Sequence, residues 1–499
     1  MSLKKNTVTN YVGQFYLIGI GIVVLPLYLH YLGAAAFGLI GLFAMLQAWL
    51  KILDMGLTPT LSRQVAYARG KNTDFLELLK LLRSLELIFL STGVLVALII
   101  VFASSWIAHS WLKVDGLPYH TVSVCIALMG VMFGLRWFSD LYNSGIQGLE
   151  QQAWLNMVNM GIATLQYGGG LIILKWVTHN PIVFFEYQVG ISALFLLILG
   201  AKFYRFFPVD CKVGLDISWS AIKKVLSFSG SLSYLVVIWI VVTQFGQLLL
   251  SHILPLSEYG YFSLITSLAG GVMQLANPLG QAILPRMTRL LSQGDEQGML
   301  ALYRGATQFM CVIMFSTVGI VALFPGQLLF AWTGNSMVAE WGARILFWYI
   351  LGNGILSVLA FQYYLQFAHG KLGLHVILNT IVVLVFIPTV SFAAYHFGAY
   401  GTALTWFGVQ AISFLLCPLI VHRVFAPGIH ISWVFKDILP IFITTVVLFF
   451  VLMQIPIPFD DFNRMEIFIA LAVLGLLVLL VNGLVSSRCR QVFLKMIYC

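Results

Sequence analysis

The sequence predicts an all-α polytopic membrane protein, and three observations carry that expectation. Apolar residues make up 60% of the 499 and charged residues only 9%, whereas soluble domains run at about 25% charged. Apolar runs of about 20 residues, enough to cross about 30 Å of hydrocarbon, recur along the whole chain. The basic residues are also segregated. With the N-terminus inside, 21 of the 27 Lys and Arg fall on cytoplasmic segments. Three lie toward the outer face (Lys113, Lys175, Arg464) and three within spans (Lys51, Arg136, Arg344). This positive-inside bias places both termini in the cytoplasm. The net charge of +9 is therefore a topology signal, and no nucleic-acid partner follows from it.

About fourteen spans are expected. The first, near 8–30, follows Lys4-Lys5 and precedes Ala34-Ala35-Ala36, which imitates a secretory signal. Its apolar stretch is too long for a signal core, so it reads as a retained span. The second, near 38–60, carries charge that lipid would not tolerate. Gln47, Lys51, Asp54 and Thr58 stand at i, i+4, i+7 and i+11, one face of a helix. A charge at the bilayer centre costs roughly 2.5–3.5 kcal/mol on insertion scales, so this face should meet a bundle interior or a wet cavity. The span is expected to break at Pro59 and lead into a basic loop from Arg63 to Arg83.

Spans three to six are expected near 84–107, 119–142, 153–176 and 183–201. The fourth ends in Arg136, Asp140, Asn143 and Gln147, again i, i+4, i+7 and i+11. The fifth offers Asn156, Asn159 and Gln166 on one face, and its Gly168-Gly169-Gly170 suits close helix packing better than a phosphate loop. Spans seven to twelve are expected near 225–250, 259–283, 306–329, 341–363, 376–397 and 400–422. The eighth shows Gln274, Asn277 and Gln281. Spans thirteen and fourteen, near 438–455 and 466–485, form a final hairpin.

An internal repeat at an offset of 222 organises these spans. His30 matches His252, Gly38 matches Gly260, Tyr142 matches Tyr364 and Gly148 matches Gly370; Leu155-Asn156 aligns with Leu378-Asn379 after a slip of one. Six spans per repeat is even, so both halves sit the same way up, related by an axis along the membrane normal with a site near the midplane. The expected division is an N-lobe at 1–210, a C-lobe at 211–425 and C-terminal helices at 426–499. The hairpin has no repeat partner; it either packs peripherally or walls a groove for a lipid tail.

Motifs for nucleotide-driven or hydrolytic chemistry (GxxxxGK[ST], HExxH, GxSxG) do not occur. The six cysteines show no CxxC or paired spacing, so neither a disulfide framework nor a metal site is expected. The polar stripes carry the functional expectation. Lys51 and Arg136 are candidate contacts for an anionic substrate, with Gln47, Asn156, Asn159, Gln274 and Asn277 as polar lining. Each single amide has an alternative use as interhelical glue, worth about 0.6 kcal/mol. Arg63 and Arg286, at equivalent exits of the two halves, either guide an anion inward or serve only as positive-inside residues. Lys51 with Asp54, and Arg136 with Asp140, could equally be structural ion pairs. If they are not, Asp54 and Asp140 are candidates for ion coupling. His30, His252 and His396 read as interface-level residues.

Several motifs in order then give a resemblance. They are Asp54-x-Gly56-Leu57-x-x-Thr60-x-x-Arg63, Gln147-Gly148-Leu149-Glu150, Trp332-Thr333-Gly334, Ala368-His369-Gly370-Lys371 and Phe397-Gly398-Ala399-Tyr400-Gly401. With them the chain resembles, over nearly its whole length, the Wzx-like O-antigen flippases of the multidrug/oligosaccharidyl-lipid/polysaccharide exporter superfamily. That resemblance implies two six-helix lobes, often with two added helices, working by alternating access in the bacterial inner membrane. It implies an undecaprenyl-pyrophosphate-linked oligosaccharide as substrate and no cofactor; a proton or sodium gradient is the coupling expected if Asp54 and Asp140 are not simply salt-bridged. Membrane lipids, a polysaccharide polymerase and glycosyltransferases are the partners it suggests. A cation-coupled multidrug antiporter and a lipid II flippase are alternatives in the same superfamily. An enzyme such as a membrane glycosyltransferase would need a large outer loop, and the longest expected here is about a dozen residues.

Overall fold

In hydrocarbon every backbone N–H and C=O must be bonded within the chain, which leaves helices as the solution for apolar runs of this length. The computed structural model describes residues 3–71, 75–207 and 219–491. Among these no strand forms; one isolated bridge joins Lys113 to Pro255. Twelve helices among the described residues are long and apolar enough to cross a membrane. The chain gathers into two compact units, Met1–Gly260 and Tyr261–Cys499.

The first unit begins with α1 (Leu3–Leu32) and α2 (Ala34–Leu50), separated by Gly33 at φ 81°. A 3-10 turn, Lys51–Asp54, follows, then α3 (Leu57–Lys71) and α4 (Phe75–Trp106). Next come α5 (Tyr119–Gly148), α6 (Gln152–Ala163), a π-helical turn Thr164–Gly169, α7 (Gly170–Trp176), α8 (Pro181–Tyr204) and α9 (Trp219–Ile253). The expected break at Pro59 is corrected. The chain leaves α2 at Met55 (φ 42°) and Gly56 (φ 76°), and Pro59 sits in the first turn of α3, where a missing N–H costs nothing. Nor is Arg63 to Arg83 a loop: residues 57–71 and 75 onward are helical, and 72–74 lie outside the described residues.

The core of this unit lies where α3, α4, α5 and α8 meet around Leu61, Val65, Leu82, Phe89, Leu141 and Phe203, all buried. Glu86, also buried, takes hydrogen bonds there from Arg83 (2.9 Å), Tyr142 (2.9 Å) and Tyr204, so one carboxylate ties three helices. At the other end, Gly38 of α2 lies against the backbone of Leu256, and Gly260 against that of Ala34. A Cβ on either glycine would meet a carbonyl oxygen, so this approach needs glycine. The two glycines stand at the repeat offset of 222, as do Ala34 and Leu256.

In the second unit, α10 (Leu256–Gln274, beginning in the first unit) and α11 (Asn277–Ser292) replace the single span expected at 259–283. The break between them falls one repeat offset from the one after α2. Beyond it run α12 (Glu296–Leu323), α13 (Pro325–Thr333), α14 (Ser336–Ala368), α15 (Gly373–Phe425), α16 (Ile429–Ser432), α17 (Leu439–Met453) and α18 (Arg464–Val485). The spans expected at 376–397 and 400–422 fall on the two arms of α15, which kinks at Gly398 (φ 58°, ψ −140°). These two places account for the difference between fourteen expected spans and the twelve counted.

Caps mark several starts: Asn180 before Pro181, Asp295 before α12, Asn335 before α14, and a full capping box of Asn463 with Glu466 before α18. The C-terminal hairpin is bolted to α12 by buried polar contacts. Arg304 makes two bonds to Asp437 (2.5 and 3.0 Å), and Gln308 donates to the same carboxylate (2.7 Å). Gln308 also accepts from Ser486, while Asn482 donates to Ser316 and Thr445. Cys125, Cys311, Cys417 and Cys489 are free thiols; Cys211 and Cys499 lie outside the described residues.

Candidate functional site

The candidate site in the first unit is assembled where α2 ends. Asp54 accepts hydrogen bonds from the backbone N–H (3.1 Å) and the hydroxyl (2.9 Å) of Thr58, which holds the first turn of α3. Its carboxylate thereby meets the positive end of that helix. Lys51, on the turn itself, is exposed. Among the described residues no ion pair within 4 Å joins Lys51 to Asp54, or Arg136 to Asp140. The stripe Gln47, Lys51, Asp54 and Thr58 is not one continuous helical face either, because the backbone turns at Met55.

Arg136 is held from three sides without a carboxylate in contact. Its Nε donates to Ser192 of α8 (3.3 Å) and its Nη1 to Gln47 of α2 (3.2 Å), and the guanidinium carbon stands 5.2 Å from the Phe43 ring centre. Ser192 in turn donates to the carbonyl of Gln188 (2.8 Å). Planar donors fixed this way, with further N–H groups to spare, suit carboxylate or phosphate oxygens. Asp140, one turn on, is exposed and has Lys51, Asp54 and Arg136 as its charged neighbours. The structure thus brings Gln47, Lys51 and Asp54 of one expected stripe close to Arg136 and Asp140 of another.

Sequence reasoning missed the aromatic and amide wall beside them. The π-helical turn Thr164–Gly169 releases carbonyls from the helical ladder, and long side chains take them up. Tyr28 donates to the carbonyls of Gln166 and Tyr167 (both 2.9 Å), Tyr187 to that of Leu165 (2.8 Å), and Gln188 to that of Gln166 (3.0 Å). Gly169 and Gly170 admit the Tyr187 and Tyr28 hydroxyls; a Cβ at either would collide with them. Such π-turns recur at functional sites. Tyr167 stacks on Tyr28 at 6.4 Å and is an electrostatic neighbour of Arg136. The glycine triplet was the available signal, but periodicity alone reads it as packing.

Other expected site residues lie apart. Asn156 donates to Asn10 (2.5 Å), which donates to Gln152 (2.7 Å), a buckle of amides between α1 and α6. Asn159 is partly buried and makes no hydrogen bond among the described residues. Arg63 is exposed on α3. In the second unit Asn277 donates to Gln274 across the break between α10 and α11. Arg286, exposed, lines a mostly apolar cavity of about 900 Å³ with Arg488, Asp295, Ile283 and Phe309. Among the described residues no group of three or more His, Cys, Asp or Glu is placed to hold a metal.

The chain is similar to several known proteins. The family model described as "Polysaccharide biosynthesis protein" matches residues 3–291. A putative O-antigen transporter of Shigella flexneri is 20% identical over 416 residues, 81% of this chain and 94% of that protein. Among solved structures, a lipid II flippase MurJ in an inward closed conformation aligns with a TM-score of 0.73 at 14% identity, over 97% of this chain and 98% of that one. An inward-facing multidrug resistance MATE family transporter of the MOP superfamily aligns at 0.63, also 14% identical, over 82% of this chain and 95% of that one. The chain therefore belongs to the polysaccharide biosynthesis protein family, and its many-helix fold is that of these flippase and multidrug-transporter structures.

Proposed function

We propose that this protein is a flippase that carries an undecaprenyl-pyrophosphate-linked oligosaccharide, an O-antigen or similar repeat unit, from the cytoplasmic to the periplasmic leaflet of a bacterial inner membrane by alternating access. Both termini are cytoplasmic in this reading, and the lobes divide at 1–210 and 211–425, with 426–499 as an appendix. One observation carries the reading: Arg136 is fixed on Gln47 and Ser192 with no carboxylate in contact, beside tyrosines and amides. A fixed guanidinium suits a pyrophosphate, while Tyr and Gln faces suit a sugar chain. Lys51 supplies the second cation. Arg63 and Arg286 guide the anion, and Asn156, Asn159, Gln274 and Asn277 serve as polar lining. The likeness to an O-antigen transporter supports the substrate class. For ion coupling, Asp140 is the freer of the two carboxylates, since Asp54 is engaged by Thr58. Polymerase and glycosyltransferases would act before and after this step.

A lipid II flippase is the second reading, favoured by the alignment with a flippase of that kind over nearly the whole chain. One experiment separates them. The gene is deleted and the lipids are extracted. The proposal expects accumulated undecaprenyl-pyrophosphate oligosaccharide and loss of surface polysaccharide, rescued by wild type but not by Lys51→Ala or Arg136→Ala. Accumulated lipid II would favour the second reading. Normal surface glycan with altered drug sensitivity would instead point to an antiporter.

A further inference from the structure

A chain of hydrogen bonds in the second unit touches none of the residues assigned above. His430, on the short α16, is partly exposed, and its Nδ1 lies 3.1 Å from Nδ1 of His422. His422 is 1% exposed at the end of α15, and its Nε2 lies 2.8 Å from the hydroxyl of Tyr303 on α12. Tyr303 is fully buried and meets the side-chain amide of Gln362 on α14 at 2.7 Å. The other amide atom of Gln362 is buried and has no hydrogen-bond partner among the described residues. Trp433 walls the chain, 4.9 Å from His422 and 6.3 Å from His430, and is anchored by Thr307 (3.2 Å).

Donor–acceptor logic allows this chain only two polarities. In the outward one, the Gln362 amide donates to Tyr303, Tyr303 to Nε2 of His422, and Nδ1–H of His422 to Nδ1 of His430. In the inward one, every bond reverses: Nδ1–H of His430 donates to His422, Nε2–H of His422 to Tyr303, and Tyr303 to the carbonyl oxygen of a turned Gln362 amide. A neutral imidazole has one donor and one acceptor nitrogen, so each histidine must switch tautomer with its neighbour. An imidazolium has no acceptor. Once His430 has gained a proton both its nitrogens carry hydrogen, so its Nδ1–H must donate inward whichever polarity the neutral chain had. His422 must then carry its hydrogen on Nε2, and Tyr303 must turn its own toward Gln362.

We propose that His430 is a proton-binding site of this protein, and that His422 and Tyr303 transmit its protonation to Gln362 on α14. One proton is taken from solvent and stays on the histidine pair. No bond is broken beyond N–H and O–H, and the chain ends at Gln362, so it stores a proton and does not conduct one through. Other charged and titratable groups surround the chain. Arg304 of α12 faces it already bound to Asp437, Arg423 of α15 and Lys436 stand exposed at the rim, and His369 packs on Phe425. The Arg304–Asp437 pair is internally neutral, so the proton is the only charge that changes at neutral pH.

The test follows exchange of the histidine Cε1 hydrogen with deuterium by mass spectrometry, from pH 5 to 8, on the full chain in lipid nanodiscs. The expected result is a single titration at His430, with His422 neutral throughout. Flat behaviour at His430, or independent titration of both rings, would overturn the site. A second arm, which rests on the flippase reading, measures the pH profile of lipid-linked oligosaccharide transport. His430→Gln and Tyr303→Phe should both abolish the pH dependence, although in Tyr303→Phe His430 still titrates. A Tyr303→Phe protein that keeps the wild-type profile would overturn the transmission. If wild type moves no oligosaccharide, the flippase reading falls and the exchange arm alone decides the site. Tyr303→Phe removes a single hydroxyl and keeps the ring, the smallest change that breaks the chain, and thermal unfolding of the variant checks that it stays folded.

Discussion

Asp54 and Arg136 are the clearest cases at the scale of single residues, because each has a structural use and a proposed functional one. Asp54 holds the first turn of α3 through Thr58. Asp54→Ala should lower stability by about 1 kcal/mol, the usual worth of such a cap, whereas Asp54→Asn keeps an acceptor and should lose only a few tenths. Thermal unfolding of the two variants in detergent checks this. If both lose the same amount, the carboxylate's charge, and not its hydrogen bonding, is what α3 needs. The charges were legible in the sequence because a Lys, an Arg or an Asp in an apolar run stands out. Tyr28, Tyr187 and Gln188 were not, since their role depends on carbonyls that a π-turn frees, and a tyrosine in a membrane helix otherwise reads as packing. The tie from His430 to Gln362 was hidden for another reason: its four residues come from four helices, and nothing in their spacing joins them.

At the scale of elements, the breaks were the hardest features to place. Pro59 looked like the stop of the second span, but proline fits the first turn of a helix, and the backbone reverses at Met55 and Gly56 instead. The corresponding break after Gln274 turned one expected span into α10 and α11. The C-terminal hairpin lacked any repeat partner in the sequence, and it is attached both by an apolar cluster around Ile320, Leu452 and Leu471 and by polar contacts to α12. Removing Arg304 leaves the buried Asp437 carboxylate unpaired and should cost up to about 3–5 kcal/mol, less where water reaches the partly exposed guanidinium, whereas replacing both with apolar residues of similar size should be close to neutral. The series Arg304→Met, Asp437→Leu and the double variant, compared by thermal unfolding and by membrane yield, tests this. Two single losses that simply add in the double variant would contradict a coupled pair.

For the whole molecule, composition and basic-residue placement were sufficient for the class, because hydrocarbon leaves a chain few options. The helices fall close to the expected spans, and the glycine contact between α2 and α10 joins residues that the repeat offset pairs. What the sequence could not supply was the division of labour among polar residues. Asn156 joins Asn10 and Gln152 as interhelical glue, while Arg136, equally conspicuous, is held ready without an acidic partner. The account therefore turns on Arg136 as the contact for the substrate's phosphates. The most direct measurement reconstitutes the protein in proteoliposomes and follows movement of an undecaprenyl-pyrophosphate oligosaccharide between leaflets. Wild type should move it, and Arg136→Ala should slow it by about tenfold or more, the effect of losing one charge-assisted contact, while remaining folded. Transport by Arg136→Ala at the wild-type rate would contradict the account.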